Sequence, residues 1–216
     1  MKVLLVNGSP HKEGCTYTAL KEVEKELLAE GIETEIIWLG VKPISGCLGC
    51  GTCIRRGPNG EKPSGRCFMN DIVNEFLDKA ELADGFVFGS PVHYAALSGA
   101  LTSFMDRAFY GKGAIYRYKP AAGIVSARRG GTTAAFDQIN KYFTISQMPI
   151  VSSRYWNMVH GSVAEDVLKD EEGVACMKTL AKNMAYLLKC MEAGREKGIA
   201  LPEQEYIELY NTSSEA

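Results

Sequence analysis

The sequence predicts one α/β domain: a doubly wound, five-stranded parallel sheet with helices on both faces. Three observations predict it. Short apolar, β-branched runs alternate with segments of helical period along most of the chain. The strand-like runs are apolar throughout rather than alternating, as in strands covered on both faces. The 216 residues show no internal repeat and suit a single domain with a substantial core.

Each element follows from its residues. "KVLLVN" (Lys2–Asn7) is a buried strand ending at Gly8. In "TYTALKEVEKELLAEG", Ala19, Leu20, Val23, Leu27 and Leu28 recur at helical spacing, and Gly31 terminates the helix. "ETEIIWL" (Glu33–Leu39) is the second strand. Residues 41–70 are rich in Gly, Pro and Cys without periodicity, and a loop of that length implies a role. "DIVNEFLDKAELA" is a helix with Asp71 as N-cap. "GFVFGSP" (Gly85–Pro91) is the third strand, followed by a helix from Ser98. "AAGIVSA" (Ala121–Ala127) is the fourth, followed by a helix over Thr133–Ser146. "PIVSS" (Pro149–Ser153) is the candidate fifth, and the last helix spans Gly173–Ala193. The whole of 1–216 reads as one domain of flavodoxin-like strand order. Such sheets bind ligands beyond the carboxyl ends of their strands.

Three loops at that edge are specialised. "NGSPHKEGCT" (Asn7–Thr16) presents Ser9, Thr16 and backbone N–H groups at a helix N-terminus, where an anion is favoured. It is neither a GxGxxG fingerprint nor a P-loop. The alternative is an ordinary turn with Thr16 as N-cap. "SPVHYAALSG" (Ser90–Gly99) brings an apolar and aromatic surface that suits a flat ring, or else packs locally. "SARRGGTT" (Ser126–Thr133) has Gly130 and Gly131 for close backbone approach and Arg128 and Arg129 for an anion, or is a solvated basic turn. "RYWNMVHG" (Arg154–Gly161) is aromatic and polar at once. Its Trp156 and His160 suit a flavin edge, a subunit interface or the core.

The motifs "GSPHKEGCT", "SPVHYAALSGALTSFMDR" and "SARRGG" together resemble the flavodoxin-like NAD(P)H-dependent FMN reductases and the related iron–sulfur flavoproteins, over about residues 1–153. The resemblance implies bound FMN. It places Ser9, His11, Gly14, Cys15 and Thr16 around the phosphate, Pro91, Val92, His93 and Tyr94 along the isoalloxazine, and Ser126, Arg128, Gly130 and Gly131 beside the ring. Cys15 stands where the family often has Asn. Flavin supplies the redox chemistry, so no protein nucleophile or acid–base pair is required. The resemblance also implies a homodimer or homotetramer.

Cys47, Cys50 and Cys53 form C-x2-C-x2-C, and Cys67 follows after a polar insert. Closely spaced thiolates with a fourth from elsewhere in the chain suit a 4Fe–4S cluster. Thirteen residues separate Cys53 from Cys67, wider than the compact spacing of the resembled family. The alternatives are zinc, or a metal-free rim near the flavin whose thiols are reduced and inert, or redox-active. Seven cysteines, an odd number, argue against a disulfide framework. Cys15, Cys176 and Cys190 lie outside the motif and suit packing.

Composition narrows the classes. A formal net charge of −2 without a basic block argues against nucleic-acid binding. No segment reaches the roughly 20 apolar residues of a membrane span, and "MKVLLVNGSP" lacks a signal peptide's apolar region, so the expected compartment is the cytoplasm. Three readings remain. One is an oxidoreductase passing electrons from NAD(P)H through FMN to a flavin, quinone or other small acceptor. Another is an iron–sulfur flavoprotein transferring electrons with a redox protein as partner. The third is a phosphate-binding regulatory module.

Overall fold

Four of the five strands form on the apolar runs, and the fifth does not. In the computed structural model, which describes residues 1–204, β1 (Lys2–Asn7), β2 (Glu33–Trp38), β3 (Gly85–Pro91) and β4 (Ala121–Ala127) lie parallel. The fifth strand, β5, is Met158–His160, not Pro149–Ser153. The predicted segment makes only a bridge, Ile150 against Ala121, before the chain leaves the sheet. It returns where Val159 fills the core and pairs with Ser126. The resulting order, β2-β1-β3-β4-β5, is the flavodoxin-like one. The single-domain reading extends over 205–216, outside the described residues.

Successive strand residues face opposite sides, so each strand feeds two cores. Val3, Leu5 and Val87 meet α1 (Cys15–Ala29) and α6 (Glu171–Glu196). Leu4, Val6, Phe86 and Phe88 meet α2 (Ile72–Leu82), α3 (Gly99–Lys112) and α4 (Thr132–Ile145). The second core is aromatic: Phe76 packs edge-on to Phe104 at 5.0 Å, and Phe109 stacks on Tyr116 at 4.4 Å.

Helix ends follow their caps. Asp71 accepts from Val73 N at 3.1 Å, the cap the sequence predicts, and Ser98 accepts from Leu101 N at 3.3 Å where the predicted helix starts. The first helix differs: Gly14, not Thr16, is its N-cap, and no side chain caps it. The last helix is longer than predicted because Asp170 caps it early, accepting from Gly173 N at 3.0 Å. A four-residue helix, α5 (Ala164–Val167), is too short to show a period in the sequence. Among the described residues, no helix is long and apolar enough to cross a membrane.

Candidate functional site

A cleft of about 630 Å³ opens at the carboxyl ends of β1, β3, β4 and β5. The loop after β1 forms one wall, and hydrogen bonds fix it. Gly8 N donates to Gly89 O at 2.9 Å, and the Ser98 hydroxyl donates to Gly8 O at 2.7 Å. A Cβ on Gly8 would stand 2.8 Å from Leu101 Cβ, so glycine alone lets the loop approach α3 this closely. Asn7 bridges the turn, accepting from Ser9 N and donating to Lys12 O, both at 3.0 Å. Trp38 Nε1 donates to Ser9 O at 2.8 Å.

The N-terminus of α1 points into the cleft. Its first turn carries no acidic residue and no side-chain cap, so first-turn N–H groups remain available to an anion. Thr16 is buried, and its hydroxyl lies 2.8 Å from that of Ser126, joining the first and third loops. The Cys15 thiol donates to Gly161 O at 3.4 Å; burial raises its pKa, and the Asp166 and Glu165 carboxylates add to the rise. These features fit the phosphate of FMN: an uncapped helix end, small side chains and hydroxyls on one wall.

Ten of the residues singled out in the sequence line this cleft: Ser9, His11, Gly14, Cys15, Thr16, Pro91, Val92, His93, Ser126 and Arg128. Tyr94, Gly130 and Gly131 do not. Tyr94 projects fully into solvent from a tight turn in which His93 and Ala96 exchange backbone hydrogen bonds at 2.9 Å. Both central residues are left-handed, Tyr94 at φ 50° and Ala95 at φ 62°. Such turns favour Gly or Asn, so this one is strained. Gly131 is the N-cap of α4 at φ 90°, packed against Ala95 and Val92. The sequence reading missed Lys12, Glu13, Ala127 and the stretch Gly161–Glu165, which also line the cleft. That stretch directly follows β5, so the misplaced fifth strand concealed it. His160 and Trp156 stand apart: His160 N donates to Asp170 at 2.7 Å, and Trp156 is half exposed beside Tyr155.

The four motif cysteines meet elsewhere. Cys47, Cys50, Cys53 and Cys67 line a single pocket of about 20 Å³ between the cysteine loop and α3. Cys53 is half-buried; burial raises its pKa, and the neighbouring Cys67, Cys47 and Cys50 thiols push the same way. Cys50 is exposed, and a hydrogen bond from Thr52 lowers its pKa. Gly65 N donates to Cys53 O at 3.0 Å, folding the insert back on the motif. Asn74 holds Cys67 from both sides, accepting from its N–H at 3.0 Å and donating to its carbonyl at 2.9 Å. Arg107 closes the pocket floor. Burial works against its charge, but the hydrogen bonds it donates to Asp71, with the neighbouring Cys67 adding to them, outweigh that and raise its pKa.

The donor set fits a thiolate-bound cluster in type and number. The volume suits about one water, so a cluster requires the exposed Cys47–Cys50 wall to move outward. Among the described residues, no three His, Cys, Asp or Glu side chains stand in metal-binding geometry. The thiol pocket and the cleft share no lining residue. Arg107 lies nine residues along α3 from its N-cap Ser98, roughly 14 Å down the helix axis.

Residues 1–162 match the model of the family described as NADPH-dependent FMN reductase. An iron-sulfur flavoprotein of Methanocaldococcus jannaschii is 32% identical over 200 residues, covering 89% of this chain and 100% of that protein. A solved flavone reductase superposes with a TM-score of 0.67 at 19% identity, over 89% of this chain and 64% of that one. A flavodoxin from the domain Archaea superposes with a TM-score of 0.57 at 14% identity, over 88% and 99%. The two structures speak for the fold.

Proposed function

The chain belongs to the NADPH-dependent FMN reductase family, among its iron–sulfur flavoproteins, and from that premise we propose an FMN-bound electron-transfer protein that also carries a 4Fe–4S cluster on its cysteine loop. One observation carries this reading: Cys67 returns across thirteen residues to line the same pocket as Cys47, Cys50 and Cys53. Inert thiols on a long polar loop have no reason to converge.

When bound, FMN supplies hydride acceptance and one- or two-electron release, and a cluster supplies single-electron transfer. The chain holds and shapes. Ser9, Gly14, Cys15, Thr16 and the open first turn of α1 take the phosphate, with His11 at its rim. Pro91, Val92 and His93 line one edge of the ring, with Tyr94 projecting from the turn beyond them. Ser126 and Arg128 flank the other, with Arg128 offsetting negative charge there and Gly130 and Gly131 in the turn that carries them into α4. The cysteine loop supplies four soft sulfur donors. The two sites share no lining residue, so a homodimer or homotetramer that brings one chain's thiol pocket toward another's cleft belongs to this reading. A redox protein or a small acceptor such as a flavin or quinone completes the exchange.

The family description favours a second reading, a plain reductase that oxidises NAD(P)H through FMN alone. An anaerobic reductive titration separates the two. FMN takes up two electrons and a cluster one, so the iron–sulfur reading expects about three per chain. An endpoint of about two, with flavin bands only, assigns the plain reductase. A colourless protein that takes up no FMN leaves the regulatory module.

A further inference from the structure

Arg107 is the only charged residue that is fully buried among the described residues, and it forms the floor of the thiol pocket. Its guanidinium grips Asp71 with two bonds, Nη1 to Oδ2 at 2.6 Å and Nη2 to Oδ1 at 2.9 Å. That pairing alone would compensate its burial. Yet the same guanidinium reaches both ends of the cysteine loop. Nη1 donates to Ser45 O at 3.4 Å, two residues before Cys47. Nη2 donates to Met69 O at 3.1 Å, two residues after Cys67. Cys67 lines the same pocket. Its buried Nε has no partner among the described residues.

We infer that Arg107 is a positioning residue for the four thiols: it ties the two ends of the cysteine loop together and sets a fixed positive charge beneath the sulfurs. This rests on the reading of the pocket as a metal site. Four thiolates gathered in one place repel one another, and a cation in a water-poor floor offsets that repulsion. Arginine suits the task because it keeps its proton and presents five donors in a rigid fork. Lysine would keep the charge but could not serve the carboxylate and both carbonyls together.

The test is a cobalt(II) titration of the full-length, metal-free protein, read by thiolate-to-cobalt absorption. The wild type should bind one cobalt through the motif cysteines. Arg107→Lys should bind more weakly. Arg107→Met combined with Asp71→Asn leaves no unpaired buried charge and retains a good N-cap for α2, so it should fold. Its cobalt affinity should fall roughly 10- to 100-fold, as for other groups that orient metal ligands. FMN affinity should match the wild type. A double variant that binds cobalt as tightly as the wild type, with the same spectrum, overturns the inference and leaves Arg107 a packing residue. A variant that is less stable but binds cobalt equally well does the same. A wild type without thiolate-to-cobalt bands would sink the metal reading itself, and this inference with it.

Discussion

Thr16 and Ser126 show how single residues set the cleft. Their hydroxyls lie 2.8 Å apart on loops 110 residues apart in sequence, and both line the wall assigned to FMN. Thr16→Val keeps the side chain's shape and removes the hydroxyl. Hydrogen bonds to charged groups contribute about 1.5–3 kcal/mol, so FMN affinity should fall roughly ten- to a hundredfold in a fluorescence titration. Unchanged affinity would remove the phosphate from this wall. Tyr94 poses the opposite problem, an exposed aromatic held at φ 50°. A left-handed non-glycine residue costs about 1–2 kcal/mol, and glycine's looser unfolded state costs about 0.4–1 kcal/mol. Tyr94→Gly should therefore unfold at the parent's denaturant concentration or higher, while flavin binding weakens or its potential shifts. If flavin affinity and potential both match the parent, Tyr94 plays no part in the ring site. Neither property was visible in sequence. "SPVHYAALSG" marks a specialised loop, but nothing in it announces a turn that glycine or asparagine would normally make.

At the scale of elements, what was legible depended on length and burial. Strands β1, β3 and β4 are long, apolar and covered on both faces, and their residues say so. The edge strand β5 has three residues, with Met158 and His160 half-buried around Val159. "PIVSS" is the stronger strand by composition, yet it makes one bridge because the chain swings out before the register is complete. Arg107 lies inside "LTSFMDRAF" and reads as an exposed helical charge. Only the packing of α3 against the cysteine loop and Asp71 buries it. The other edge strand, β2, is held by charge as well as packing. Glu35 pairs with Lys2 on β1 at 2.7 Å and with Lys79 on α2, and these hydrogen bonds hold its carboxyl below the usual range. A depressed folded pKa stabilises the fold above the unfolded value, about 4.3, and that contribution is lost as pH falls through the folded value. Glu35→Gln should cost at most about 1 kcal/mol at pH 7, given the site's partial exposure. The difference should shrink toward zero as urea unfolding is repeated below about pH 4. A gap as large in acid as at neutral pH would mean packing, not charge, is responsible.

At the scale of the molecule, one chain carries two separate sites on a single sheet scaffold. The cleft sits at the carboxyl edge, where the doubly wound topology opens, and the thiol pocket sits along the face built by α2 and α3. The cleft was largely legible because three short loops at predictable strand ends form most of it. The thiol pocket was legible only as a spacing. That Cys67 joins the other three depends on Gly65, Asn74 and Arg107 folding a polar insert back on the motif, and none of these belongs to a recognisable pattern. The most direct measurement is anaerobic reconstitution with FMN, iron and sulfide, followed by flavin and metal analysis of the wild type and of Cys50→Ala. The account predicts one FMN and close to four irons per chain in the wild type, and flavin retained with iron lost in the variant. A wild type that binds FMN but never holds close to four irons, or a Cys50→Ala protein that holds as many as the wild type, would contradict it.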